Sequence, residues 1–140
     1  MYYIDNNGDF TYDELSISGA RTCSISFKKA DGEEWDEKKA VMSYEPFVEA
    51  KNARGVIFGA HIRAVEAQSV NFYLEYFDIF FKHSGVHRES ATENISYNFL
   101  KIGKYFKLPE GTAYFKPGIE VRGKITALTF FYPFAYLSNR

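Results

Sequence analysis

The chain has 140 residues, a net charge of −1, and an aromatic share of 19%, with 14 Phe and 11 Tyr against one Trp. That length suits one domain burying roughly two-thirds of its unfolded surface, and the aromatic excess fits pleated, half-buried β surfaces. A single cysteine, Cys23, excludes an internal disulfide framework, and no 18-residue apolar run marks a membrane-spanning helix.

In chain order, residues 2–4 and 10–12 flank Asp5-Asn6-Asn7-Gly8-Asp9, and Asn-Gly between apolar runs predicts an N-terminal hairpin. Residues 21–29 alternate Cys23, Ile25 and Phe27 against Thr22, Ser24, Ser26 and Lys28, a half-buried strand with a packed, inert thiol. Residues 31–39 form a charged loop or single helical turn. Residues 40–50 carry a strand broken at Pro46, as suits an edge or a bend.

Residues 55–82 hold the most patterned stretch. Alternating runs at 55–64 and 70–78, joined by a short polar break, predict an antiparallel hairpin with Val56, Phe58, Ala60, Ile62, Val70, Phe72 and Leu74 buried. Residues 83–94 read as a polar loop. Ile95, Tyr97 and Phe99 open a strand that bends near Gly103, and Lys116-Pro117-Gly118 reads as a turn. Strands at 119–132 and 134–137 close the chain, with Phe106, Leu108, Ile119, Val121, Ile125, Ala127 and Phe131 completing the core. Eight to ten strands with turn signals about every ten residues predict an all-β, two-sheet antiparallel jelly-roll sandwich. The expected division is an N-terminal hairpin and acidic loop at 1–45 packed on a jelly-roll core at 46–137.

Three segments carry a resemblance. They are Gly-Val-Ile-Phe-Gly-Ala-His-Ile-Arg-Ala from 55, the run from Val70 ending in Tyr-Phe-Asp at 78, and Phe-Lys-Leu-Pro-Glu-Gly-Thr-Ala from 106. Their order resembles the jelly-roll carbohydrate-binding modules and the related galactose-binding-like sandwiches over roughly residues 46–137. The resemblance implies that fold and a glycan ligand.

The outward face of the predicted hairpin is the leading site. If its loop centres on Ala67, His61 faces Tyr73, Arg63 faces Asn71 and Gly59 faces Glu75, with Cβ atoms about 4.5–5.5 Å apart. A ring to stack on a sugar, with Arg63 and Asn71 as donors and Glu75 as acceptor, makes a ligand-binding set of His61, Arg63, Asn71, Tyr73 and Glu75. The alternative is a solvated sheet face with routine cross-strand pairs.

Other constellations are weaker. His83 and His87, four apart beside Glu89 and Glu93, would suit zinc on a helix, but Gly85 points to a loop. Asp5, Asn7, Asp9 and Asp13 echo a calcium loop without its Gly and Glu. Glu75 and Asp78, at an odd offset, fall on opposite faces of a regular strand and make no carboxylate pair for catalysis. No metal or cofactor is expected, and no enzyme.

Residues 1–50 carry 11 acidic and 5 basic side chains, and residues 51–140 carry 7 and 12. Lys101, Lys104 and Lys107, three apart, cannot line one strand face, so no nucleic-acid partner is expected, and no membrane partner either. No signal peptide is visible, so the cytoplasm is the default location. Phe130, Phe131, Tyr132, Phe134 and Tyr136 are too many for one face; they are buried under the N-terminal segment or form a partner surface. The reading that follows is a non-catalytic binding module for a glycan or small polar ligand. Its alternative is a structural subunit of a phage, virion or spore-surface assembly, with homo-oligomer contacts through the C-terminal aromatics.

Overall fold

The computed structural model describes the backbone of residues 2–6, 9–15 and 21–140, and the side chains from Thr22 onward. These residues form a two-sheet antiparallel jelly-roll sandwich. The first sheet runs β1 (Tyr2–Asn6), β4 (Lys39–Tyr44), β10 (Tyr114–Thr126), β7 (Glu66–Phe77), β8 (His83–Ser90), and the short β5 (Val48–Glu49) also pairs with β10. The second runs β2 (Asp9–Leu15), β3 (Arg21–Ser26), β11 (Leu128–Ser138), β6 (Gly55–Arg63), β9 (Leu100–Lys107).

The two runs predicted to form the main hairpin lie in different sheets. β6 pairs with β11 and β9, and β7 pairs with β10 and β8. The polar break is shorter than its composition suggests, because Glu66 to Ser69 already belong to β7, leaving Ala64 and Val65 as the link. Their N–H groups donate to Ser96 O at 2.9 Å and Thr126 O at 3.0 Å, so the link is anchored to other segments as an arch and not closed on itself as a turn. Alternation identifies which face of a strand is oily, and it does so equally well when two oily faces meet across a core. Phe58 of β6 and Phe72 of β7 meet in that way, ring centroids 5.7 Å apart at 70°.

The N-terminal hairpin is corrected on the same ground. β1 pairs with β4 and β2 with β3, so the two strands extend opposite sheets, and Asn7-Gly8 lies outside the described residues. Residues 83–90 are a strand, not a loop; as the first sheet's edge β8 has little to bury, which is why its sequence is polar. Residues 95–99 precede β9, which runs straight through Gly103. Lys116-Pro117-Gly118 is no turn but the middle of β10. β10 pairs with β5 at Tyr114 and Phe115 and with β4 from Gly118 onward, so Pro117 faces the gap between them and no strand there needs its missing N–H.

The predicted core is otherwise in place. Val56, Phe58, Ala60, Ile62, Val70, Phe72, Leu74, Phe106, Leu108, Ile119, Val121 and Ile125 are all buried. Phe131 is not among them; Phe130 points inward instead, and Ala127 is the left-handed link between β10 and β11 (φ 51°). Lys104 alone among the charged residues of β9 pairs with an inward position, Phe58, and its Nζ reaches Asn94 Oδ1 at 2.7 Å.

Close strand packing at Gly59 makes a test. A Cβ there would overlap the backbone carbonyl of Ile102 and Cα of Gly103 on β9. Gly59→Ala should therefore destabilise by at least about 3 kcal/mol, comparable to the ~3–5 kcal/mol expected of Phe58→Ala. Urea midpoints check both, and a Gly59→Ala protein as stable as the parent would contradict this packing.

Candidate functional site

Because β6 and β7 face each other across the core, the five predicted site residues do not share a surface. His61 and Arg63 lie on the outer side of the second sheet, and Asn71, Tyr73 and Glu75 on the outer side of the first. Tyr73 is only 4% exposed. Its ring lies across Gly118, where a Cβ would collide with it, and its hydroxyl is hydrogen-bonded to Ser43. Burial pushes its phenol up to about 12, and a sugar has no access to that ring.

The rest of the first sheet's outer face is a mesh of ion pairs. Glu120 sits 3.7 Å from Lys39 Nζ and 3.6 Å from Arg88 Nε, and Glu75 lies 3.6 Å from His83 Nε2. Asp78 accepts from the N–H groups of Phe80 and Lys82 at 2.9 and 3.0 Å, holding the β7–β8 turn. His87 and Glu89, 2.8 Å apart, sit on the edge strand. Among the described residues no three His, Cys, Asp or Glu side chains gather as a metal site. Cys23 is buried, its thiol pushed up to about 12 by desolvation.

The second sheet's outer face differs in kind. Register lines its side chains into rows across β11, β6 and β9: Phe131, His61 and Lys101; Phe134, Gly59 and Gly103; Tyr136, Ile57 and Tyr105. Successive outward residues of a regular strand are two apart, yet Phe131 and Phe134 both face out. A bulge between them supplies the extra residue. Within it Tyr132 takes the left-handed conformation (φ 44°), which is costly for a residue with a Cβ, and stands 59% exposed. The bulge resets the phase of the strand, and so four aromatic residues in six positions reach one surface.

The rings are arranged, not merely exposed. His61 lies parallel to Phe131 at 4.9 Å and 12°, with Tyr132 edge-on to Phe131 at 5.2 Å. Phe134 and Tyr136 stack at 5.0 Å and 27°. Phe134 also rides over Gly103, whose missing side chain gives the ring its seat. Tyr136 and Tyr105 are 51% and 44% exposed. Beyond this platform Tyr105 and Lys107 also line a cleft of about 1080 Å³ at the end of the sandwich, shared with Arg54, Pro109, Glu110 and Thr112.

Sequence reasoning found His61 and Arg63 but missed this surface as a site. The signal was present: five aromatics within seven residues of the closing strand, from Phe130 to Tyr136, with Pro133 marking the irregularity. Burial under the N-terminal segment does not occur at Tyr132 and Tyr136, since β2 extends the sheet beyond β3.

No protein-family pattern matches the sequence, nor does any curated protein. Solved structures do match. A carbohydrate-binding module of family 4 superposes with TM-score 0.59 at 9% identity, over 98% of this chain and 86% of its own. The family 11 module of the Clostridium thermocellum cellulase Lic26A-Cel5E gives 0.56 at 11%, over 99% and 86%. The fold is that of the carbohydrate-binding jelly rolls. The enzymatically active domain of tailspike protein 4 from bacteriophage CBA120 gives TM-score 0.66 at 8% identity, over 97% of this chain, which spans 19% of that protein. The expectation of an assembly subunit gains no support from these likenesses, which lie mainly with carbohydrate-binding modules, and neither does an oligomer.

Buried acids give a pH test. Desolvation raises Cys23, Tyr73 and Tyr76 alike to about 12, above ordinary values of ~8.5 for a thiol and ~10 for a phenol. The unfolded chain therefore releases these protons first, and their stabilisation, complete below the ordinary values, is lost as pH climbs towards 12. Urea midpoints should fall steadily from about pH 9 to 12, and less steeply in the Tyr73→Phe, Tyr76→Phe double variant. An equal slope in both proteins would refute this assignment.

Proposed function

We propose that the chain is a non-catalytic glycan-binding module whose site is the outer face of β11, β6 and β9. The carrying observation is the bulged central strand. It spends backbone strain at Tyr132 to put Phe131, Tyr132, Phe134 and Tyr136 on one exposed surface, in a fold shared with carbohydrate-binding modules. Sugar rings present an apolar C–H face, which lies flat on an aromatic ring, and an equatorial fringe of hydroxyls, which needs polar neighbours. The platform supplies rings at its centre and His61, Arg63, Lys101 and the Tyr105 and Tyr136 hydroxyls around them. Grouped apolar rings left open to water also need a partner to explain them.

In this reading His61 and Arg63 belong to the site and Tyr73 supports the fold. Tyr132 and Tyr136 are the stacking residues, each contributing about 1–2 kcal/mol, or roughly tenfold in affinity, from ring area covered. The adjoining 1080 Å³ cleft beside Tyr105 would take the next sugar units of a chain.

A glycan array followed by calorimetry on the best hit tests the proposal. Tyr132→Ala and Tyr136→Ala should each weaken binding about tenfold with little change in melting temperature, while Glu75→Gln on the opposite face should leave affinity unaltered. An array without hits, or hits indifferent to both tyrosine variants, would remove the reading.

A further inference from the structure

We infer that the ligand of this platform is an anionic polysaccharide, one whose sugar units carry carboxylate or sulfate groups. The inference rests on the glycan-binding reading above and narrows it to a chemical class.

Its basis is the charge of the second sheet. β3, β6, β9 and β11 contain no Asp or Glu, and their charged residues are Arg21, Arg63, Lys101, Lys104 and Lys107. The acidic residues of that sheet, Asp9, Asp13 and Glu14, all lie on β2, the edge opposite β9. Among the described residues, no carboxylate lies within ion-pair distance of Arg63, Lys101 or Lys107. The first sheet's outer face shows the contrast, with Lys39, Arg88 and His83 each beside a glutamate.

The cations of the platform are instead held against its rings. Lys101 Nζ stands 4.8 Å over Phe134 and 5.3 Å over Tyr136, and donates to the Tyr136 hydroxyl at 3.4 Å. Arg63 lies 5.0 Å over Tyr97 and 5.5 Å over Phe99, with Nη1 donating to Tyr97 O at 3.4 Å. Ring faces hold an ammonium or guanidinium in place without neutralising it. Each head group keeps unused donors, poised at the rim of a stacking surface. A sugar lying on Phe134 or Tyr136 and bearing an acidic group at its edge would meet both demands at once. A neutral sugar would satisfy the rings and leave the charges unmatched.

Affinity gel electrophoresis tests this with polygalacturonate and its methyl ester, and dextran sulfate and dextran, each at 20 and 300 mM NaCl. The expected result is retardation by at least one acidic polymer about tenfold stronger than by its neutral counterpart, most of it lost at the higher salt. The acid retained identifies carboxylate or sulfate as the group read. Lys101→Met and Arg63→Gln should each cut that preference severalfold while Tyr132→Ala weakens binding to every sugar polymer.

Equal binding of a neutral polymer and its acidic form would overturn the anionic reading and leave the glycan site standing. Acid-selective retardation that ignores Tyr132→Ala, and that poly-glutamate reproduces, would overturn it as charge attraction alone. If none of the four polymers is retarded and the glycan array is also blank, both readings fall together.

Discussion

Phe58 meeting Phe72 across the interior is the contact on which the outer surfaces depend. It requires β6 and β7 to confront each other through the core, so their link must arch from one sheet to the other. Burying two such rings contributes several kcal/mol by area alone, and edge-to-face packing adds to it. Once the arch is in place, the polar sides of the two strands point away from each other. One sheet then carries paired charges and a capped tyrosine, and the other carries open rings with Lys101 and Arg63 held over ring faces.

Much of the interior is legible in the sequence. Period-2 alternation named Val56, Phe58, Ala60, Ile62, Val70, Phe72 and Leu74 as buried, and all seven are. The two-sheet jelly roll was legible as well. Strand partnership was not. Whether adjacent runs pair or oppose is decided by long-range contacts, such as Val65 N–H on Thr126 O, that no local pattern encodes. The candidate site shows the result: His61 and Arg63 lie on the outer side of one sheet, and Asn71, Tyr73 and Glu75 on that of the other, with Tyr73 buried there.

The aromatic face was hidden by a different effect. Reading β11 with strict alternation sends Phe131 inward or strands Phe134 and Tyr136 on the wrong side. One inserted residue resolves the conflict, and its cost falls on Tyr132, held at φ 44°. Pro133 hinted at the irregularity, yet nothing local distinguishes a bulge from the strand end that composition suggests.

Lys104 carries a last consequence. It is an ammonium on the exposed border strand of the aromatic sheet, turned towards the interior and tied to Asn94. Any foreign strand zipping onto that border would have to break the tie and seal a charge away from water, a steep toll for a few main-chain bonds. The border is thus shut to β-augmentation, and growth into fibres or edge-joined chains is disfavoured from that side.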